Sequence, residues 1–237
     1  MLQQINLRCD TISEREEQFL KVLLMYDLII KNGLIYDGKG GRPFKADIAI
    51  LEEKIVSVGS IKGESKKTID ASGRIVTPGF VDIHTHYDGQ VTWDPYLRPS
   101  TYHGVTTVVM GNCGVGFSPC KPDQRDWLIG LMEGVEDIPG TALHEGIDWE
   151  WESFPEYLDA LEKKPLAIDV GTQIPHGAVR AYVMGERGIN HEEATEEEIK
   201  KMKQIVKEAI EAGAYGFSTS RTEKHNDVNG NLTPSIT

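Results

Sequence analysis

The sequence predicts an α/β protein, in which a small all-strand module precedes strand–helix–strand units of a barrel or a doubly wound sheet. Short β-branched runs fill residues 27–75, and longer apolar runs alternate with a helical pattern after Pro78-Gly79. Near-continuous apolar strands are typical of a parallel sheet that is buried on both faces. Strands and helices that alternate at this spacing favour those two architectures.

The composition of the 237 residues excludes several classes of protein. With 25 Lys+Arg against 37 Asp+Glu, the formal net charge is −12, which disfavours general binding to nucleic-acid phosphates. No apolar run approaches the roughly 18 residues that a membrane helix needs. Three cysteines indicate a reducing, cytoplasmic setting rather than a disulfide scaffold. We therefore expect a small-molecule partner, and neither a nucleic acid nor a membrane. The sequence leaves the oligomeric state open.

Residues 1–24 differ in character from the rest of the chain. They mix charges with a short apolar cluster that Lys21 interrupts, so they lack the continuous apolar stretch of about 7–15 residues found in a secretory signal. Met25 then opens a strand-like segment. We interpret residues 1–24 as a disordered or artefactual leader, residues 25–77 as the β module and residues 78–237 as the main domain.

The predicted strands are short apolar runs bounded by glycine or charged residues. Those of the β module include residues 27–30, 47–50 and 55–58. Those of the main domain are residues 80–83, 104–110, 166–170 and 214–218.

The clearest predicted helix lies between the last two strands. Thr195 and Glu198 form a capping box at its start, and Gly213 provides a C-terminal stop. Residues 121–165 are less regular, and we interpret them as an insertion followed by a helix near residues 154–161. In the helix between Thr195 and Gly213, the residues expected to face inward are Ile199, Met202, Ile205, Val206, Ala209 and Ile210.

Two histidines follow the first strand of the main domain. Because strand side chains alternate, His84 and His86 point to the same side and Thr85 to the other. They lie at the carboxyl end of the strand, where β/α barrels carry their active sites. Two imidazoles about 6–7 Å apart can chelate one divalent ion, and imidazole suits zinc. This pattern predicts a metal site; the alternative is a pair of solvent-exposed loop histidines.

A cysteine follows the next strand at the same level. Cys113 stands in Gly111-Asn112-Cys113-Gly114, and its flanking glycines allow a close approach of backbone and metal. A thiolate is a strong zinc ligand, whereas a lone cysteine is more often a buried, unreactive thiol. The residues alone leave both interpretations of Cys113 open.

Four segments resemble the amidohydrolase superfamily and, within it, the N-acyl-D-amino-acid deacylases, or D-aminoacylases. The resemblance extends from about Met25 to the end of the chain. It implies a metal-dependent hydrolase with a (β/α)8 TIM barrel, of which about the first four βα units are present, and a small N-terminal β-sandwich module. It also implies one or two zinc ions, with His84, His86 and Cys113 as ligands. The segments are TPGFVDIHTHYD (77–88), HGVTTVVMGNCGVGFSP (103–119), AVRAYVMG (178–185) and EAGAYGFSTSRT (211–222).

The activity that the resemblance implies is hydrolysis of a carbon–nitrogen bond other than a peptide bond. An N-acyl-D-amino acid would give a D-amino acid and a carboxylate, with an aspartate as general base. That aspartate and two further histidines of the family have no counterpart before Thr237. We therefore expect this chain to be a truncated fragment with little or no activity.

Several other residues are candidates for supporting roles. His176, Ser220 and Arg221 are expected to contact the substrate, with Arg221 as a partner for a substrate carboxylate. Asp88 is expected to orient one of the metal-binding imidazoles. His225 lies in a hydrophilic turn, which favours a solvated loop over a functional role.

Two other functions remain open at the level of sequence. The chain resembles cyclic-amide hydrolases of the hydantoinase or dihydroorotase type in its first histidine pair, although a lysine after the fourth strand would be expected there. A non-enzymatic binding or assembly module is the second alternative. Bound metal distinguishes the hydrolase interpretations from the module.

Overall fold

The computed structural model describes residues 25–234, so the interpretation of residues 1–24 as a leader lies outside the described residues. The chain divides into two compact units between Pro78 and Gly79. Among the described residues, no helix combines the length and the apolar character that crossing a membrane requires.

The first unit contains one sheet of five strands. Its order is β3-β2-β1-β4, and β5 also pairs with β1. The pairs β1–β2 and β2–β3 are antiparallel, whereas β4 and β5 run parallel to β1. The three predicted strands at 27–30, 47–50 and 55–58 lie within β1, β2 and β3 and are confirmed. The strands are β1 (Tyr26–Ile35), β2 (Phe44–Leu51), β3 (Lys54–Gly59), β4 (Ser65–Asp70) and β5 (Ile75–Val76).

The second unit contains the parallel pairing that the apolar runs predict. Three strands lie in the order β6-β7-β8, and β9 and β10 form a separate parallel pair. Val108 and Met110 of β7 are fully buried, but Phe80 and Val81 of β6 are each 59% exposed. Burial on both faces is therefore wrong for β6. The strands are β6 (Phe80–Asp82), β7 (Val105–Met110), β8 (Asp169–Thr172), β9 (Ile174–Pro175) and β10 (Phe217–Ser218).

Two predicted strands have different bounds in the structure. The run 166–170 enters the sheet only at Asp169, because the preceding Ala167 N–H donates to the Pro95 carbonyl (2.9 Å) rather than to a neighbouring strand. The run 214–218 contributes only its last two residues to a strand, although Tyr215 N–H donates to the Thr172 carbonyl (2.9 Å).

Six helices are described in the second unit. The predicted capping box is confirmed: Thr195 Oγ1 accepts from the Glu198 N–H (3.3 Å), and the Glu198 carboxylate accepts from the Thr195 N–H (2.8 Å). The helix ends at Gly213 as predicted. Its expected inward stripe is wrong at both ends, where Ile199 and Ile210 are 40% and 45% exposed. The helices are α1 (Arg125–Glu136), α2 (Gly140–Gly146), α3 (Phe154–Glu162), α4 (His176–Met184), α5 (Glu186–Ile189) and α6 (Glu196–Ala212).

Residues 121–165 are more ordered than the sequence predicts. The helix near 154–161 is confirmed as α3, which begins with a capping box from Ser153. The segment interpreted as an insertion contains α1 and α2, and α1 belongs to the hydrophobic core. Asp137 ends α1 in a left-handed conformation, and Pro139 precedes α2. The break between these two helices interrupts the helical periodicity of the sequence in this segment. The buried residues of α1 are Leu128, Ile129, Leu131 and Met132.

Candidate metal centre

The structure brings together the three residues that the sequence predicts as metal ligands. His84, His86 and Cys113 each offer a ligand atom, and these atoms all lie within 4.8 Å of one another. His84 Nε2 is 3.2 Å from Cys113 Sγ, and the centroids of the two imidazole rings are 5.5 Å apart. Side chains from two segments, the histidine pair and the loop of Cys113, could therefore bind the same metal ion.

Strand β6 ends just before the histidines, and hydrogen bonds from Thr85 keep the chain paired with β7 beyond the end of the strand. The Thr85 N–H and Oγ1 both donate to the Val109 carbonyl of β7, at 3.0 and 2.9 Å. Thr85 is buried in this position. The Asp82 carboxylate accepts from the His84 N–H (3.1 Å), so Asp82 orients the backbone of the first histidine.

The loop after β7 has a conformation that places Cys113 opposite the histidines. Gly111 and Cys113 both have positive φ angles, 73° and 57°. A Cβ atom at position 111 would overlap the carbonyl oxygen of Gln173, so only glycine fits there. Cys113 itself adopts the left-handed region, which is uncommon for a residue with a side chain. Such strain is concentrated at functional sites.

Polar side chains hold this loop from both sides. The Asn112 amide donates to the carbonyls of Thr85 (3.1 Å) and Val109 (2.9 Å) and accepts from Gln173 Nε2 (2.8 Å). The buried Ser218 hydroxyl of β10 accepts from the Gly114 N–H (3.0 Å) and donates to the Gly111 carbonyl. The position of Cys113 is therefore fixed by three neighbouring strand ends.

The environment keeps one imidazole neutral and one thiol protonated near pH 7. Burial, followed by the charges of His84 and His225, lowers the pKa of His86 to about 4. Burial, followed by the charges of Glu136 and Asp88, raises the pKa of Cys113. A neutral imidazole is ready to bind a metal, and a metal ion would displace the thiol proton.

Glu136 is a residue of this site that the sequence analysis missed. Its Oε1 lies 3.2 Å from His86 Nε2, and both side chains are largely buried, with 22% and 12% exposed. Burial, followed by the charge of Asp137, raises the pKa of Glu136 to about 6. No motif marks Glu136, which is the last residue of a helix in the segment interpreted as an insertion.

Asp88 is buried, and its charge contributes to the raised pKa of Cys113. Its carboxylate accepts from the backbone N–H groups of Asp88 and Gly111, and burial, the largest influence, raises its pKa to about 7. Its Oδ2 is buried and has no hydrogen-bond partner among the described residues. The carboxylate contact that we expected from Asp88 is made to His86 by Glu136 instead.

The three predicted substrate contacts lie around β10. His176 is the first residue of α4 rather than a loop residue; its Nδ1 is 3.0 Å from Thr219 Oγ1, and its ring packs against Phe217. Burial, followed by the charges of Arg180 and Arg221, lowers the pKa of His176 to about 4. Ser220 accepts from the Thr222 N–H (3.4 Å), and Arg221 is exposed. Within the described residues, the group of potential ligands contains none of these three.

His225 is closer to the metal cluster than its hydrophilic sequence predicts. It lowers the pKa of His86, and its own pKa is lowered first by burial and then by the charge of His84. Its Nδ1 atom is buried without a hydrogen-bond partner among the described residues. His225 thus lies in a loop, as expected, but is half-buried rather than fully solvated.

The donor set fits a zinc ion. Imidazole nitrogen and thiolate sulfur are the ligands that zinc prefers, and two histidines with a cysteine leave a fourth position open. His86 Nδ1 is buried and unpartnered in this part of the structure, which is a cost that a bound cation or a reoriented ring would remove.

Comparison with known proteins shows which family this chain resembles. A model described as "Amidohydrolase family" matches residues 67–234. The D-aminoacylase of Alcaligenes xylosoxydans xylosoxydans is 34% identical over 195 residues, which cover 82% of this chain and 37% of that protein. The N-acyl-D-aspartate deacylase of the same organism is 33% identical, covering 81% of this chain and 36% of that protein.

Solved structures agree with these relatives. The N-acyl-D-glutamate deacylase of Bordetella bronchiseptica, solved with zinc and a phosphonate inhibitor, has a TM-score of 0.70 and 32% identity. The match covers 82% of this chain and 38% of that protein, so the chain spans little more than a third of its relatives' length. The family match extends over more than half of the chain and confirms the predicted resemblance. The chain belongs to the amidohydrolase family.

Proposed function

We propose that this chain carries the metal-binding part of a zinc-dependent amidohydrolase that hydrolyses N-acyl-D-amino acids. The observation that supports this most strongly is the convergence of His84, His86 and Cys113 within 4.8 Å. The relatives named above add the substrate class, since they act on N-acyl-D-amino acids and one of them was solved with zinc. The product would be a D-amino acid and a carboxylate.

We also propose the finer architecture that the resemblance implies. The parallel strands β6, β7 and β8, with the pair β9–β10, would be the first strands of a (β/α)8 barrel. The sheet of the first unit would be part of a β-sandwich. The TM-score of 0.70 to a deacylase supports a shared α/β fold. The cytoplasmic location and the domain bounds 25–77 and 78–237 stay predictions.

The residues present have distinct parts in the proposed reaction. A bound zinc ion supplies Lewis acidity toward an amide carbonyl and makes water a stronger acid. His84 and His86 donate neutral nitrogens, and Cys113 donates a sulfur once its proton has left. Asp82 fixes the backbone of His84 (3.1 Å). We propose His176, Ser220 and Arg221 as substrate contacts, with the Arg221 guanidinium paired to the substrate carboxylate.

The general base that the resemblance implies is an aspartate without a counterpart in this sequence. Proton transfer from water by a positioned carboxylate contributes about 10²–10⁴-fold to the rate. We therefore expect the 237-residue chain to bind zinc and to hydrolyse N-acetyl-D-aspartate and N-acetyl-D-glutamate at a rate far below that of a complete deacylase.

Zinc binding by the isolated chain tests the proposed function. We expect one zinc ion to bind in competition with a chelator, and we expect Cys113→Ala to lower the affinity at least about 100-fold, because a ligand is lost. Cys120→Ala is the matched control: Cys120 is also a free thiol, but burial raises its pKa to about 12. A wild-type chain that takes up no zinc would overturn the proposed function and favour the non-enzymatic module.

A further inference from the structure

The candidate metal centre also contains the carboxylate of Glu136, which is not one of the three predicted ligands. Glu136 Oε1 lies 3.2 Å from His86 Nε2, and only 22% of the Glu136 side chain is exposed. Its charge also raises the pKa of Cys113. Glu136 thus acts on two of the three predicted ligands.

The packing of α1 against its neighbours holds Glu136 next to His86. Glu136 is the last residue of α1, whose apolar face belongs to the hydrophobic core. The Val228 N–H donates to the Gly130 carbonyl (3.2 Å), and a Cβ atom at position 134 would overlap the backbone of Asn226 and Asp227. Helix α1 is therefore packed between the core and the 226–228 segment, which it contacts at Gly130 and Gly134, shortly before Glu136.

The contact between His86 Nε2 and Glu136 Oε1 needs a shared proton or a bound cation between the two atoms. A carboxylate has only lone pairs to offer, and a neutral imidazole carries a single N–H. If the proton is on Nδ1, two acceptor atoms face each other at 3.2 Å and need a cation between them. If the proton is on Nε2, it bonds Glu136 and leaves the buried, unpartnered Nδ1 lone pair for a cation. Each tautomer therefore leaves one ring nitrogen of His86 with a lone pair that a cation can bind.

Charge favours a carboxylate beside the metal, and the separation of 3.2 Å suits a hydrogen bond as well as two ligands of one ion. On a tetrahedral zinc ion, a nitrogen and an oxygen ligand are about 3.3–3.4 Å apart, given zinc–ligand distances of about 2.0–2.2 Å. The observed separation is 3.2 Å. Two neutral imidazoles and one thiolate leave a zinc centre with one positive charge, and one carboxylate makes it neutral. A neutral centre avoids the cost of burying a net charge.

We propose that Glu136 is a carboxylate member of the metal centre, which raises the affinity of His84, His86 and Cys113 for a divalent cation. This inference rests on the proposed metal centre and adds a residue to it. Among the described residues, Glu136 is not in the group of ligand atoms that lie within 4.8 Å of one another. In this arrangement its carboxylate therefore acts by fixing the His86 ring through a hydrogen bond, and direct coordination requires the Glu136 side chain to move. Carboxylates that fix a metal-binding histidine in this way change metal affinity by about 10–100-fold.

Zinc affinity of matched variants of the full chain tests this role. Glu136→Gln keeps the size and one acceptor oxygen but removes the charge, and we expect zinc affinity to fall about 10–100-fold in chelator competition. Asp137→Asn is the control, because it removes the same charge one residue away from an exposed, left-handed position that asparagine tolerates. We expect less than about 3-fold change there, since exposed charges interact weakly.

A second pair of variants separates the charge from the shape of the side chain. Glu136→Asp and Glu136→Asn differ from each other only in charge, and tighter zinc binding by the aspartate variant supports the proposal. This comparison also decides the question if Glu136→Gln does not fold. Visible spectra of the Co²⁺-loaded chain distinguish the two modes: Glu136→Gln shifts the ligand-field bands strongly under direct coordination and weakly under hydrogen bonding to His86.

The outcomes separate this inference from the proposed function. Unchanged zinc affinity in Glu136→Gln, or equal affinities of the aspartate and asparagine variants, would overturn the role of Glu136 while leaving the metal centre in place. Absence of zinc binding by the wild-type chain would overturn both. Loss of affinity with unchanged stability of the metal-free variant supports Glu136 as a member of the centre.

Discussion

At the scale of single residues, a side chain at position 111 would collide with the backbone of Gln173, and the φ of 73° adds strain of its own. We expect Gly111→Ala to lower the free energy of unfolding by about 2–5 kcal/mol, because overpacking adds to the left-handed penalty. Gly230→Ala is the control: its φ is 83°, but no atom of residues 25–234 lies within 4 Å of the added Cβ.

Urea denaturation of both variants measures this difference. The control should cost about 1 kcal/mol, which is the left-handed penalty alone. Zinc affinity should fall with Gly111→Ala and not with Gly230→Ala, because position 111 sets the path of the chain toward Cys113. Equal losses of stability in the two variants would show that the contact with Gln173 is relieved at little cost.

A second residue-scale prediction concerns the pH dependence of stability. Burial, the largest influence, lowers the pKa of His176 to about 4 from an ordinary value of 6.5. The unfolded chain therefore takes up a proton first as the pH falls, and the stability contributed by neutral His176 is lost between about pH 6.5 and pH 4. We expect the free energy of unfolding of His176→Asn to fall less than that of the wild type over this pH range.

Urea denaturation of the metal-free chain at pH 7 and pH 5 measures this difference. His103→Asn serves as the control, because it makes the same substitution at an exposed histidine. Parallel loss of stability in the wild type and in His176→Asn would show that other groups, such as His86, dominate acid destabilisation.

At the scale of elements, the capping box of α6 makes a separable contribution. Thr195→Ala removes the acceptor for the Glu198 N–H (3.3 Å) and should lower the free energy of unfolding by about 1 kcal/mol. Thr141 lies in the first turn of α2, is exposed and is not the capping residue of that helix. Thr141→Ala should change stability by less than about 0.5 kcal/mol. Thermal unfolding of both variants measures the contrast, and equal effects would contradict a capping role for Thr195.

Local signals explain which elements could be predicted. The start of α6 (Thr195 and Glu198) and its end (Gly213) are each encoded by a few neighbouring residues, as are the β-branched runs of β1, β2 and β3. The pair His84 and His86 and the neighbouring Cys113 follow strands whose apolar runs are continuous in the sequence. Their approach to within 4.8 Å follows from the pairing of β6 with β7.

Tertiary contacts explain what could not be predicted. Glu136 meets His86 only because α1 packs on the core, and nothing within several residues of Glu136 indicates that contact. The proximity of His225 to the cluster depends in the same way on the packing of the 226–228 segment against α1. The exposure of Ile199 and Ile210 also depends on which neighbouring elements reach the two ends of α6.

At the scale of the whole molecule, the two compact units should respond differently to metal. All three predicted ligands belong to the unit that begins at Gly79. At a zinc concentration of 100 times the dissociation constant, binding to the folded state alone stabilises by about 2.7 kcal/mol. We expect zinc to slow amide hydrogen exchange in β7, and to leave exchange in β1 unchanged.

Hydrogen exchange followed by mass spectrometry resolves these segments separately. The Cys113→Ala chain is the control, and zinc should not slow exchange in its β7. Protection of β1 as strong as that of β7 would contradict the prediction and would show that stabilisation by metal extends through the whole chain.

The short spacing between His84 and Cys113 has a consequence for the stability of the loop that joins them. His84 and Cys113 are only 29 positions apart in sequence. A cation held by both would act as a reversible cross-link across that loop, and closing so short a loop costs little entropy. All three predicted ligands lie within residues 84–113, so a bound cation would cross-link the connection between β6 and β7 and resist its opening.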